Sequence, residues 1–255
     1  MKKLLALLLT AALVVTVFAG CGKNSSAESN NSSAAKKKIT MGTNATFPPF
    51  ESVDDSNKIV GLDADIAAAI AEKLNMELVI KDMDFDSLIP AVKGGSIDFA
   101  MAGMTVTDER KESVNFTDTY AKGVQVVIVK EGSAIKTVDD LKGKKIGVQT
   151  GTTGDSYCTE DYGQENVKQF ANGPLAVAAL QNGQIDCVVI DQQPAKAYVA
   201  SASGLKILDT AYADENYAIA VSKDNTELLN NINKALSELK AAGKIDEIVG
   251  KYIKE

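Results

Sequence analysis

One pattern occurs twice in the chain and narrows what it can fold into. FDSLIPAVKGGSIDFAMAG (85–103) and LAVAALQNGQIDCVVID (175–191) each run from a helical stretch through a glycine, one further residue, Ile-Asp and a short apolar strand. Gly95 matches Gly183, Asp98 matches Asp186, and Gly103 matches Asp191. A glycine closing a helix, followed by a strand too apolar to alternate, is the signature of a buried αβ unit. Around these units amphipathic helices alternate with short strands: KKITMGT, then DADIAAAIAEKLN with Ile66, Ile70 and Leu74 on one face, then MELVIKD. That alternation predicts an α/β fold with parallel strands. Any αβ unit shares some of the pattern, but its double occurrence suggests two similar lobes.

The N-terminus reads differently. MKKLLALLLTAALVVTVFAGC carries two lysines, an apolar run from Leu4 to Phe18 and small residues before Cys21, which is an export signal too short and wrongly flanked for a stable membrane span. Its end resembles the lipobox of bacterial lipoproteins, with Phe18 where that pattern usually has Leu. The resemblance implies cleavage after residue 20 and lipidation of Cys21, which would tie the protein to a membrane surface. The Ser/Asn-rich stretch 22–38 has almost nothing to bury and reads as a tether reaching on the order of 20–25 Å. Cleavage removes two of the 27 basic side chains, leaving 25 against 34 acidic ones. So acidic a chain is a poor partner for nucleic acid. The absence of histidine excludes Ser-His and Cys-His catalysis and most zinc sites. Cys158 and Cys187 are open to two readings, a disulfide of an exported protein or two partly buried reduced thiols.

In open α/β sheets ligands bind beyond the carboxyl ends of strands. Four such exits carry polar or glycine residues: GTNATF, AGMT, VQTGTTGD and Asp191 after CVVI. In GMTVTDERK, Thr107 or Asp108 would cap a helix with Arg110 in its first turn. A guanidinium grips a carboxylate through two parallel hydrogen bonds, and Thr105 can add a donor. TGTTGDSY offers the hydroxyls of Thr150, Thr152 and Thr153, but lacks the spacing and lysine of a phosphate loop. Asp191 could cap the next helix, or reach into a cleft to meet an ammonium. Phe47, Phe50 and Phe85 are core residues by default, though an aromatic at a strand exit can wall a pocket. Taken singly, Arg110 is an ordinary surface arginine and TGTTGD an ordinary capped turn. Together Arg110, Thr105 and Asp191 suit a zwitterion.

The ordered series GTNATFPPFE, GLDADIAAAIAEKLN, DFDSLIPAVKGGSIDFAMAGMTVTDERKESVNFTDTY, VDDLKGKKIGVQTGTTGD and GKIDEIVGKY resembles the motifs of the amino-acid-binding proteins of bacterial ABC importers, the polar amino acid branch of the solute-binding proteins. The resemblance spans 38–253. It implies the type II periplasmic-binding-protein fold, two α/β lobes joined by two hinge strands, with lobe 1 over 38–121 plus 217–255 and lobe 2 over 122–216. It implies that Arg110, the Thr105 hydroxyl, the Gly103 backbone and the loop of Thr152 and Thr153 hold an α-carboxylate. Asp191 would take the α-ammonium, and Phe47 and Phe85 would sandwich the side chain. The ligand would be a free L-amino acid and the partners an ABC permease with its ATPase. The protein would be a monomer with no cofactor, metal or chemistry of its own, anchored by lipid to the outer face of the membrane of a Gram-positive type of cell.

Two positions depart from the family pattern. Asn44 stands where many relatives have an aspartate facing the ligand side chain, and Gln149 where glutamine binders can have a lysine. A near-neutral, amide-rich pocket points first to glutamine or a similar neutral polar amino acid. A basic amino acid (arginine, lysine or histidine) is the alternative, should another carboxylate such as Glu51 or Asp86 approach. A sensory lipoprotein or an exported dehydratase on the same fold are further alternatives.

Overall fold

The computed structural model describes residues 36–254, so the export signal, Cys21 and all but the end of the tether lie outside the described residues. The chain lays down β1 (Lys38–Thr43), β2 (Thr46–Phe47), β3 (Glu51–Val53), β4 (Ile59–Val60), α1 (Leu62–Lys73), β5 (Glu77–Asp82), α2 (Phe85–Lys93), β6 (Phe99–Ala100), α3 (Asp108–Ser113) and β7 (Val114–Phe116). The long strand β8 (Ala121–Lys130) leads into β9 (Ile146–Gln149), α4 (Thr153–Tyr162), β10 (Val167–Phe170), α5 (Gly173–Gln181), β11 (Cys187–Asp191), α6 (Gln192–Ser201) and β12 (Leu205–Ile207). The return strand β13 (Ala213–Tyr217) is followed by β14 (Ala220–Ser222), α7 (Thr226–Ala241) and α8 (Lys244–Tyr252).

Two mixed sheets result. The first has the order β5-β1-β6-β14-β7, with β1 parallel to β5 and β6 and β14 antiparallel to its neighbours. The second has the order β10-β9-β11-β8-β12, with β9 parallel to β10 and β11. Both therefore place a short apolar strand, β6 or β11, at the centre, as the repeated pattern anticipates. A small sheet of β2, β3 and β4 stands beside the first.

The repeat has a physical basis that is the same in both lobes. Gly95 and Gly183 both take φ +71, the left-handed conformation that ends a helix cheaply only at glycine. Ile97 and Ile185 are buried, and the Cδ1 of each lies 2.4 Å from where a Cβ on Gly42 or Gly147 would be, so each isoleucine needs a glycine on the neighbouring strand. Asp98 Oδ2 accepts from Thr40 N at 2.6 Å and Asp186 Oδ2 accepts from Lys145 N at 2.8 Å. Each aspartate thus caps the strand next to its own. α1 packs Ile66 and Ile70 inward with Leu74 half-buried at its end. Burial of such side chains contributes about 1.5–3 kcal/mol each.

Two strands join the lobes. The first half of β8 pairs antiparallel with β13, from Ala121 opposite Tyr217 to Gln125 opposite Ala213. From Gln125 onward β8 pairs with β11 inside the second sheet. Cys158 and Cys187 are free thiols buried in one apolar cluster with Val127, Val148 and Val189, which settles the open reading against the disulfide. Burial pushes the Cys158 thiol up to about 12 and raises Cys187 as well, so both stay protonated and inert.

Candidate functional site

A small cleft lies between the two sheets. It is lined from the first lobe by Asn44, Phe47, Glu51, Phe85, Ala102, Gly103, Thr105 and Arg110, and from the second by Gln149, Thr152, Thr153 and Asp191. Every residue to which the family resemblance gives a ligand contact, with Asn44 and Gln149, is on this wall, whereas Thr150 turns its hydroxyl to Phe170 O. Phe50 is not on the wall. It is fully buried behind Phe47, stacked on it at 5.7 Å and set edge-on to Tyr217 at 5.3 Å. Asp86 is not on the wall either; its backbone and Cβ crowd Gly151, where an added Cβ would come within 2.9 Å.

Local structure explains each placement. β1 ends at Thr43, and Asn44 then turns its Nδ2 to Met83 O at 3.0 Å, which leaves Oδ1 to accept from Thr46 Oγ1 and from Gln149 Nε2 across the cleft. Thr107 is the N-cap of α3, accepting from Arg110 N at 3.1 Å. That short helix holds Arg110 so that Nη1 donates to Thr105 O at 2.7 Å and Nη2 donates across the cleft to Gly151 O at 3.0 Å. The guanidinium lies 5.3 Å from the Phe85 ring centroid, a cation–π contact that fixes its plane. A guanidinium has five N–H donors, so this one keeps donors free for a ligand anion.

On the other wall β9 ends at Gln149, and Thr152 caps α4, its hydroxyl accepting from Asp155 N at 3.3 Å and donating to Gln149 O at 2.8 Å. The hydroxyl of Thr152 is thus committed, and the unpaired backbone N–H groups of the α4 start are what remain for an anion. Asp191 stands at the N-cap position of α6, yet its side chain makes no capping bond. Instead Asp191 Oδ2 accepts from Gln125 Nε2 at 2.7 Å, while Oδ1 has no partner among the described residues. Asp191 therefore does not cap α6, and it lies on the cleft wall.

The Gly103 backbone does not offer an anion the N–H that the family resemblance implies. Its N–H donates to Asp63 Oδ2 at 2.8 Å, so it is not available to an anion, and what this backbone offers a ligand is its carbonyl.

The electrostatics are dominated by burial. Arg110 is lowered by desolvation, with Glu215 foremost among the charges that hold it up. Asp191 is raised well above the usual carboxylate range by burial and then by Glu215. Burial and the proximity of Asp63 raise Glu51 strongly, and its two oxygens have no hydrogen-bond partner among the described residues. Burial raises Asp63 to about 6 against the pull of the Gly103 N–H and the Tyr120 hydroxyl. Asp63, Gln125 and Glu215 carried no signal in the sequence, because each is a polar residue in an ordinary helix or strand pattern. No group of metal-ligating side chains is present among the described residues.

Comparison with known proteins agrees with this architecture. Residues 39–255 match the model of the bacterial extracellular solute-binding proteins, family 3. A probable histidine-binding protein of Neisseria gonorrhoeae is 37% identical, the alignment covering 99% of this chain and 96% of that one. An arginine-binding extracellular protein of Bacillus subtilis is 36% identical over 99% of this chain and 98% of its own. Among solved structures, an ancestral arginine-binding protein bound to glutamine superposes with a TM-score of 0.82 at 45% identity, covering 86% of this chain and 99% of that one. Two α/β lobes joined by two strands enclose this cleft, and the chain belongs to the bacterial extracellular solute-binding proteins, family 3.

Proposed function

We propose that this protein captures a free L-amino acid between its lobes and delivers it to the permease of an ABC importer. The observation that carries the reading is the pairing, in one cleft, of the Arg110 guanidinium with the Asp191 carboxylate, whose Oδ1 is buried and unpartnered. A partly buried guanidinium and a buried carboxylate from facing lobes match the two ends of a zwitterion and are both satisfied when the lobes close on it. Arg110, Thr105 and the start of α4 at Thr152 and Thr153 take the carboxylate, and Asp191 with the Gly103 carbonyl takes the ammonium. Phe47 and Phe85 flank the side chain. We take lobe 1 as 38–121 plus 217–255 and lobe 2 as 122–216.

For the side chain, the neutral pair Asn44 and Gln149 favours glutamine, as the sequence reading has it. Glu51 adds a buried carboxyl to the same wall that holds its proton without ligand, and a cationic side chain that displaced this proton would pair with the carboxylate, which shifts the preference to arginine first and glutamine second. An arginine-binding relative and an arginine-binding ancestor bound to glutamine support that order. The test is titration calorimetry on the purified protein, stripped of carried ligand by unfolding and refolding. Arginine is expected to bind at least tenfold more tightly than glutamine. The reverse order would return the pocket to a neutral ligand, and no binding by any amino acid would overturn the reading.

The protein performs no catalysis in this reading and acts as a monomer. No helix among the described residues is long and apolar enough to cross a membrane. Attachment is by lipid on Cys21 at the outer face of the cell membrane, with 22–37 as the tether. Mass spectrometry of the N-terminal peptide from cell membranes checks this: a peptide beginning at diacylated Cys21 is expected, and an unmodified Cys21 would refute it.

A further inference from the structure

Gln125 lies on β8 at the point where that strand passes from its hinge partner β13 to its sheet partner β11. It is 2% exposed, and its Nε2 donates to Asp191 Oδ2 at 2.7 Å and to Glu215 Oε2 at 2.9 Å. An amide nitrogen has two hydrogens, so both are spent. Each carboxylate is held by one oxygen only. Asp191 Oδ1 and Glu215 Oε1 are buried without a partner among the described residues. Asp191 is on the cleft wall, whereas Glu215 stands on β13 behind it, 4% exposed. Among the described residues neither carboxylate has a salt bridge. Two buried carboxylates bridged by a neutral amide are costly unless a cation joins them.

We propose that Gln125 and Glu215 are positioning residues of the ammonium end of the site. Gln125 holds Asp191 by one oxygen so that the other is free for the ligand α-ammonium, and the charge of Glu215, tied to the same amide, deepens the negative potential there. The inference rests on the amino-acid reading of the cleft and assigns function to two residues outside its wall. Because Gln125 and Glu215 belong to the two hinge strands, the ammonium of the ligand is linked through Asp191 to both of them.

A merely structural role and this one differ in which ligands they affect. Binding of arginine and of desamino-arginine, which keeps the carboxylate and guanidinium but lacks the ammonium, is measured on the purified protein and on Glu215→Gln. Wild-type binding of arginine tests the reading of the cleft; no binding by any amino acid would overturn that reading and this inference with it. If glutamine is the tighter ligand, glutamine and desamino-glutamine replace the pair. Where wild type binds, Glu215→Gln is expected to weaken the amino acid on the order of tenfold and its desamino analogue less than twofold. Equal losses for both ligands would mean that Glu215 serves the fold or Arg110, and no loss that it serves neither; each overturns the proposal. Gln125→Met, which keeps the length of the side chain and removes its donors, is expected to show the same selective loss, and thermal melts of both variants confirm that they fold.

Discussion

Arg110→Ala is expected to weaken amino-acid binding on the order of 100-fold, about 3 kcal/mol, because it removes the one guanidinium on the cleft wall. Three features make the effect large. The guanidinium is partly buried, so its bond to a ligand carboxylate is charge-assisted in a site that excludes much of the water. Its plane is held by Thr105 O, Gly151 O and the Phe85 ring, so little side-chain entropy is lost when ligand binds. It already touches Gly151 of the other lobe, so it stabilises the closed state as well as the ligand. Arg110→Lys keeps the charge but not the fork, and is expected to recover only part of the loss. Titration calorimetry of both variants decides the matter: an Arg110→Ala protein binding within threefold of wild type would remove Arg110 from the site.

The second large effect concerns stability. Glu51→Gln is expected to raise the melting temperature at pH 7.5 by about 4–8 °C, equivalent to about 2 kcal/mol in a domain of this size. In the folded protein burial and Asp63 raise Glu51 well above the ordinary carboxyl range, and Asp63 titrates at about 6. The folded state therefore holds protons that the unfolded chain has already released above about pH 4. The stability from Asp63 falls as pH rises from about 4 through 6, and that from Glu51, which is raised well above the ordinary range, goes on falling as pH rises further. Removing one of the two ionisable groups removes most of that fall, because the amide carries no charge to bury beside Asp63. At pH 4, where both carboxyls are protonated, the variant and wild type should melt within about a degree of each other, allowing for strain of order a few tenths of a kcal/mol. Differential scanning calorimetry at the two pH values tests this. A gain of the same size at both would show that packing, not charge, is responsible. If arginine is the ligand, the more stable variant should also lose preference for it over glutamine, a trade of stability against function common at binding sites.

Much of the architecture was written locally. The glycines at 95 and 183 announce left-handed helix ends, Ile97 and Ile185 announce burial, and the aspartates that follow cap the neighbouring strand in both lobes. Strand exits could be located from the same periodicity, and with them Asn44, Thr105, Arg110, Gln149, Thr152 and Asp191. Such features are legible because backbone conformation, capping and burial period act over a few neighbouring residues.

What the chain order could not disclose is which long-range partner each polar side chain would take. Asp191 had a local use as a helix cap and gave it up for Gln125, 66 positions away; Gln125 also reached Glu215, 90 positions away. Gly103 gave its N–H to Asp63, 40 positions away, so its N–H cannot fill the role that the family resemblance implied for this backbone. Cys158 and Cys187 share an apolar cluster as free thiols. Glu51 is one more acidic residue in the sequence, and becomes a proton-holding group only when β2, β3 and α1 bury it beside Asp63. A carboxylate has the same chemistry wherever it stands in the chain. Its charge state and its partner depend on the dielectric and the neighbours that folding brings within a few ångströms, and these are properties of the packed molecule.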